Sequence, residues 1–173
     1  DIKTKVVLGG VENWLKNNSS IDFSLYKVIV TVNEHLLGTI AKLLINAGFK
    51  DVLLEKPGGL DIDDIKSVHS LAVEKKVNIY IAYNRRFFAS TLRVKELIKA
   101  DGGVTSFNFE FTEWGHIIKD LVKNKEILNE WFIQNSSHVI DLAFHIGGSP
   151  VDMKSFVLGG QSWHPKGTIF SGA

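Results

Sequence analysis

Asp51-Val52-Leu53-Leu54-Glu55-Lys56-Pro57-Gly58-Gly59 is the stretch on which the fold turns. Its apolar run is short and ends at a charged pair, as a buried strand does where it leaves a sheet. Pro57 then removes a backbone donor and fixes φ, and the glycine pair allows a sharp exit. Ligands of open parallel sheets bind outside the carboxyl ends of the strands, so this reading aims the Lys56 amine at a ligand crevice. A solvated lysine at a strand-to-loop corner would carry the same tripeptide. Residues further along the chain decide between the two.

Working outward, residues 26–83 alternate short β-branched runs with longer amphipathic segments, which is the arrangement of βαβ units and a parallel sheet. Strands are expected over 27–32, 51–55 and 78–83. The first is nearly all apolar and is expected to be central, covered on both faces. Leu36, Ile40, Leu43, Leu44 and Ala47 recur at helical spacing before Gly48. In the next helix Asp61 can cap, Asp63 and Asp64 sit in the positive first turn, and Ile62, Ile65, Val68 and Leu71 or Ala72 form the buried stripe. Upstream, 11–18 reads as a short helix with Val11, Trp14 and Leu15 inward.

No Gly-x-Gly-x-x-Gly follows a strand, so the cradle that grips a dinucleotide's phosphates is missing from this sequence. With Asp1 at one end and an apolar stretch running into Ser171-Gly172-Ala173 at the other, both ends read as cut. Half of a nucleotide fold is the expectation.

After Tyr83 the character changes. A helix is expected over 88–99 with Leu92, Leu97 and Ile98 buried. Phe107, Phe109, Phe111 and Trp114 then alternate with polar residues across 105–114, as on a strand with one wet face. No Lys or Arg interleaves these rings, so the ladder reads as core rather than as a platform for bases. Helices follow over 117–129 and 137–146, and a strand over 151–159. The change of character sets a domain boundary, giving units 1–86 and 87–173.

The 173 residues are 45% hydrophobic and 23% charged, with a net charge of +1 and no cysteine. This is the composition of an ordinary globular protein. The charge is neither large nor clustered, which argues against a nucleic-acid partner, and no run is long enough to enter a membrane. The absence of cysteine excludes disulfides and thiolate metal sites and fits a reducing compartment, so the cytoplasm is expected.

Ser136-Ser137-His138-Val139-Ile140-Asp141 through His145 forms the second constellation. A serine N-cap would put His138 in the first turn of a helix, with Asp141 and His145 on the same face. A carboxylate there would fix the imidazole tautomer and raise its basicity, as an acid/base catalyst needs near neutral pH. The same residues could serve as a polar helix face at a domain interface. His138, Asp141 and His145 also stand at metal-ligand spacing, but no second ligand cluster supports that use, and no metal is expected.

Glu55-Lys56-Pro57, Tyr83-Asn84-Arg85-Arg86-Phe87 and His138-Val139-Ile140-Asp141 ahead of Gly147-Gly148-Ser149-Pro150, in that order, resemble the Gfo/Idh/MocA oxidoreductase family over residues 11 to the end. The resemblance implies an α/β fold, the C-terminal half of a Rossmann-type parallel sheet followed by part of an α+β substrate domain with a largely antiparallel sheet. It implies an NAD(P)-dependent dehydrogenase or reductase that moves a hydride between nicotinamide and a hydroxyl or keto carbon of a sugar, cyclitol or nucleotide sugar. A dimer or tetramer is implied as well.

By the same resemblance Lys56 touches the nicotinamide ribose and the reacting hydroxyl, His138 takes the hydroxyl proton, and Asp141 is a nearby carboxylate. Thr31, Val32 and Asn33, together with Glu55, Lys56 and Pro57, line NAD or NADP, and Asn84 and Arg85 border nicotinamide and substrate. His35 lies near the family's loop histidine, although the alignment puts Leu37 there. One departure stands out. Where many members carry Asp four residues before the histidine, this chain has Gln134, which can hydrogen-bond a sugar hydroxyl but cannot carry a proton. Trp131 and Phe132 could stack on a sugar ring, or simply pack. A non-catalytic ligand-sensing or regulatory relative on the same fold is the alternative.

Overall fold

The computed structural model describes residues 4–121, 124–164 and 167–173. Helix α1 spans Gly10–Asn17 and is followed by β1 (Lys27–Val30), α2 (Leu37–Ala47), β2 (Asp51–Leu54), α3 (Ile62–Lys75) and β3 (Asn78–Ile81). Beyond a 3-10 turn at Asn84–Phe87 come α4 (Ala89–Ala100), α5 (Gly115–Leu121), α6 (Lys125–Asn129), α7 (Trp131–Gly147), β4 (Ser155–Leu158) and β5 (Ile169–Gly172). The fold is mixed α/β, a parallel three-stranded sheet plus a small antiparallel pair.

The parallel strands stand in the order β1-β2-β3, with Val30, Leu54 and Ile81 in register at their carboxyl ends. β2 is therefore the central strand, not β1 as the apolar content of 27–32 suggests. The register explains the difference. Val30, Val52 and Leu54 point to one face and are buried with Leu37, Ala41 and Leu44 of α2 and Val68 and Ala72 of α3. On the opposite face Ile29 is 70% exposed and Tyr80 55% exposed, so among the described residues the sheet is covered on one side only. β1's apolar content fits a two-sided burial that these residues do not supply.

Local signals account for the helices of this half. Asp61 caps α3, its carboxylate accepting from the Asp63 and Asp64 amides at 3.0 and 2.8 Å. α2 stops at Gly48. Trp14, Phe23 and Phe49 pack in series, with ring centroids 5.7 and 4.9 Å apart, and seat α1 against the same core.

The second half departs from the sequence reading in four places. α4 buries Thr91, whose hydroxyl donates to the Arg85 carbonyl at 2.8 Å, while Leu92 and Leu97 stay half exposed. Residues 104–114 form no strand. Their alternation is nonetheless real. Phe107, Phe109 and Phe111 lie one above the next at 6.3 and 6.5 Å, and Phe144 of α7 meets the first two edge-on at 6.2 and 6.1 Å. The side chains have found a helix to pack on, and among the described residues the backbone has no neighbouring strand to pair with. Third, the serines at 136 and 137 do not start a helix. α7 begins at Trp131, so both lie in its interior. The helix expected over 117–129 is two, α5 and α6, and residues 122–123 lie outside the described residues.

Candidate functional site

The carboxyl ends of three parallel strands converge on one edge. Thr31-Val32-Asn33 follows β1, Glu55-Lys56-Pro57 follows β2, and Tyr83-Asn84-Arg85 follows β3. Pairing continues slightly past the strands, with the Glu55 amide donating to the Val30 carbonyl at 2.9 Å and the Ala82 amide to Leu54 at 2.8 Å. The chain then turns sharply behind Lys56. Pro57, Gly58 and Gly59 are buried, and the Lys56-Pro57 peptide is cis. Gly58 has φ +96°, and a Cβ there would lie 2.5 Å from Ile81 Cδ1, so any other residue would be strained at that step and would have to displace that side chain.

Helix α7 lies across this edge. Lys56 Nζ donates to the Gln134 backbone carbonyl at 2.6 Å, and the His138 ring meets Tyr83 edge-on at 5.9 Å. The structure thus brings together Lys56 and His138, which are far apart in sequence, with Glu55 and Arg85 beside them. An ammonium carries three donors, so two remain for a ligand. Arg85 has no hydrogen-bond or ion-pair partner for its guanidinium among the described residues. His138 is held below the ordinary imidazole range, first by burial and then by the positive charges of Arg85 and Lys56; Glu55 and Asp141 oppose the shift. Its imidazole is therefore neutral at pH 7, the form that accepts a proton.

Asp141 does not join the histidine. Both its oxygens are taken by Arg86, from Nε at 2.8 Å and from the terminal nitrogen, and no hydrogen bond joins it to the His138 ring among the described residues. The expected histidine–carboxylate pair is replaced by a carboxylate–guanidinium fork, because a planar guanidinium matches both oxygens at once. Arg86 also lies over the Tyr83 ring, 5.7 Å from its centre. His145 turns instead to α4, its Nε2 3.2 Å from Lys95 Nζ. His35 Nδ1 lies 3.5 Å from the Asn124 side-chain amide.

The other expected ligand contacts take different partners. Gln134 is 2% exposed, and its Nε2 donates to the carbonyls of Gly59, at 3.0 Å, and Leu60. Trp131 donates to Glu113 and meets Trp163 edge-on at 6.4 Å, and Phe132 stacks on Phe170 at 3.8 Å, so both aromatic rings are engaged in packing.

Some residues of the site went unmarked in the sequence reading. Tyr83 forms the wall behind His138, and burial pushes its phenol up. Glu113 accepts three donors from α7: Trp131 Nε1, Asn135 Nδ2 at 2.6 Å and Ser136 Oγ at 2.7 Å. Glu113 closes the aromatic ladder one place before Trp114, and only a partner on a distant helix distinguishes it from any exposed acid. Gln134 Oε1, Ser137 Oγ and His138 Nδ1 are buried without hydrogen-bond partners. They fall at helical spacing on one stripe of α7; Ser137 faces the Tyr83 phenol, which leaves Gln134 Oε1 and His138 Nδ1 as the buried polar atoms that call for a water or a ligand.

Comparison with known proteins gives the same fold. No protein-family model matches the chain. An uncharacterized oxidoreductase of Schizosaccharomyces pombe is 28% identical over 133 residues, which is 75% of this chain and 36% of that protein. Among solved structures, an oxidoreductase from Thermotoga maritima superposes with a TM-score of 0.70 at 18% identity, covering 99% of this chain and 53% of the other. The WlbA dehydrogenase of Bordetella pertussis, solved in complex with NADH and UDP-GlcNAcA, superposes with a TM-score of 0.65 at 18% identity, covering 91% and 46%. This chain therefore spans about a third of the curated relative and about half of these two structures.

Proposed function

We propose that the chain belongs to an NAD(P)-dependent oxidoreductase of the Gfo/Idh/MocA kind, acting on a hydroxyl or keto carbon of a sugar, cyclitol or nucleotide sugar. The observation that carries this reading is the meeting of Lys56 and a neutral, half-buried His138 at the carboxyl edge of a parallel sheet. That edge is where open α/β sheets bind ligands. The likeness to oxidoreductase folds supports it.

The residues present fit the nicotinamide end of a dinucleotide. Thr31, Val32, Asn33, Glu55, Pro57, Asn84 and Arg85 would border it, and the buried His138 Nδ1, which has no hydrogen-bond partner among the described residues, supplies a polar group for a ligand. Bound NAD or NADP would accept or deliver the hydride. The remaining work falls to this chain's side chains. His138 takes the hydroxyl proton as the carbonyl forms, or returns it in the reverse direction, and the free Lys56 protons face the oxygen where negative charge develops. Arg85 and Lys56 are the groups placed to orient substrate. Asp141 acts on His138 through its charge alone.

The whole protein is proposed to work in the cytoplasm as a dimer or tetramer, on a small sugar-like substrate. Among the described residues no helix is long and apolar enough to cross a membrane. The proposed division at residue 86 is supported by the core, since among the described residues the buried apolar side chains run from Leu15 to Val77 with Leu128 alone beyond.

The commitment of Gln134 to two backbone carbonyls and of Asp141 to Arg86 favours a second reading, a non-catalytic relative that binds ligand without turnover. Following reduced-nicotinamide absorbance with the intact protein, NAD or NADP, and a panel of sugars and nucleotide sugars separates the two. Turnover that disappears in both Lys56→Ala and His138→Ala is the expected result. Tight dinucleotide binding with no turnover on any substrate would favour the sensor.

A further inference from the structure

Gln134 is a buried amide at a place where the hydride-transfer reading asks for a carboxylate, and its contacts form a closed circuit. Its Nε2 donates to the carbonyls of Gly59 and Leu60, which lie just past Lys56-Pro57-Gly58. Lys56 Nζ then donates back to the Gln134 carbonyl at 2.6 Å. From the other side Asp64 Oδ2 accepts the Leu60 amide at 3.0 Å, while Asp64 Oδ1 accepts Lys42 at 2.9 Å. The loop from 56 to 60 is thus gripped between α3 and α7. In an α-helix the carbonyl of residue 134 faces the amide of residue 138, so the ammonium rests on the very turn that carries His138.

We propose that Gln134 is a positioning residue whose amide clasps the Gly59–Leu60 carbonyls and thereby holds the Lys56 ammonium in register with His138. The functional meaning rests on the oxidoreductase reading, whereas the clasp itself can be tested without turnover. Only a donor can do this. An ionised Asp or Glu would set acceptor against acceptor at two carbonyls, and a shorter side chain would not span the gap. The residue that replaces an acid here therefore supplies two N–H groups rather than merely lacking a charge. Its full burial makes those bonds costly to lose, since carbonyls sealed from water need a donor.

The test is reductive methylation of the full-length protein with 13C-formaldehyde, reading each lysine by peptide mass mapping and the methyl signals by NMR. In the wild type Lys56 should react more slowly than the exposed Lys27 by on the order of tenfold, and should give a methyl signal outside the envelope of mobile lysines. Gln134→Met keeps the volume and removes both donors. It should raise the Lys56 rate by on the order of tenfold and merge its signal with the envelope. Lys42, ion-paired to Asp64, reports whether the sheet half is still folded. Equal Lys56 rates in the two proteins with Lys42 still protected would overturn the proposal. So would a wild-type Lys56 as reactive as Lys27, and that arm needs no variant to fold.

Fluorescence titration with NADH on the same samples keeps the two ideas apart. Protected Lys56 without NADH binding removes the oxidoreductase reading and leaves the clasp. NADH binding with unprotected Lys56 does the reverse. Where turnover is available, Gln134→Met should lower kcat.

Discussion

Asp141 and His138 lie one turn apart, yet the carboxylate is spent on Arg86, and this shapes what each residue should do when altered. Asp141→Asn keeps the shape but removes the charge that the guanidinium fork requires. It is expected to cost about 1.5–3 kcal/mol, measured by urea unfolding. It should also move the His138 pKa further down, because Asp141 is among the charges that hold it up. His138 contributes to the pH dependence of stability together with His145, which burial also lowers. An unperturbed histidine titrates near 6.5, and His138 is lowered in the fold. On acidification the unfolded chain therefore binds its proton first, and the stability present above pH 6.5 is lost as pH falls through the folded value. His138→Gln should flatten that part of the curve, and a pH series of unfolding midpoints will show whether it does. Lys56 and His138 were legible as a pair through the order of the motifs that carry them, although the serine cap expected ahead of His138 is the interior of α7. The use made of Asp141 and Gln134 was not, since both partners come from loops far off in the chain.

Elements whose ends rest on their own residues were readable, and those fastened from a distance were not. Asp61 sits two and three residues before the amides it caps, so sequence spacing alone reveals α3. Asp61→Ala should cost about 1 kcal/mol in thermal or denaturant unfolding, the usual loss for such a cap. Ser136 and Ser137 offer the same local signal ahead of His138, yet they lie inside α7, because the Ser136 hydroxyl found Glu113 rather than a free amide of its own helix. The Phe107–Phe111 ladder teaches a related point. Alternation reveals which side chains share a face, but a strand also needs a neighbour for its backbone, and residue spacing carries no information about that neighbour.

Taken as a molecule, the chain concentrates its buried apolar side chains around the three-stranded sheet, while every residue of β4 is exposed. Hydrogen exchange should follow that division. The β2 amides, held between two strands, are expected to exchange slowest, and those of β4 and β5 by local opening at least tenfold faster, as exchange mass spectrometry would resolve. Between the sheet and the hairpin stands α7. Its two turns from Gln134 to Asp141 receive Lys56, donate to Gly59 and Leu60, touch Tyr83 and accept Arg86. The same helix is tied again beyond both ends of that stretch, where Trp131 donates to Glu113 and His145 meets Lys95. Lys56 and His138 therefore meet on a span that is anchored on either side, like the middle of a beam rather than its free end.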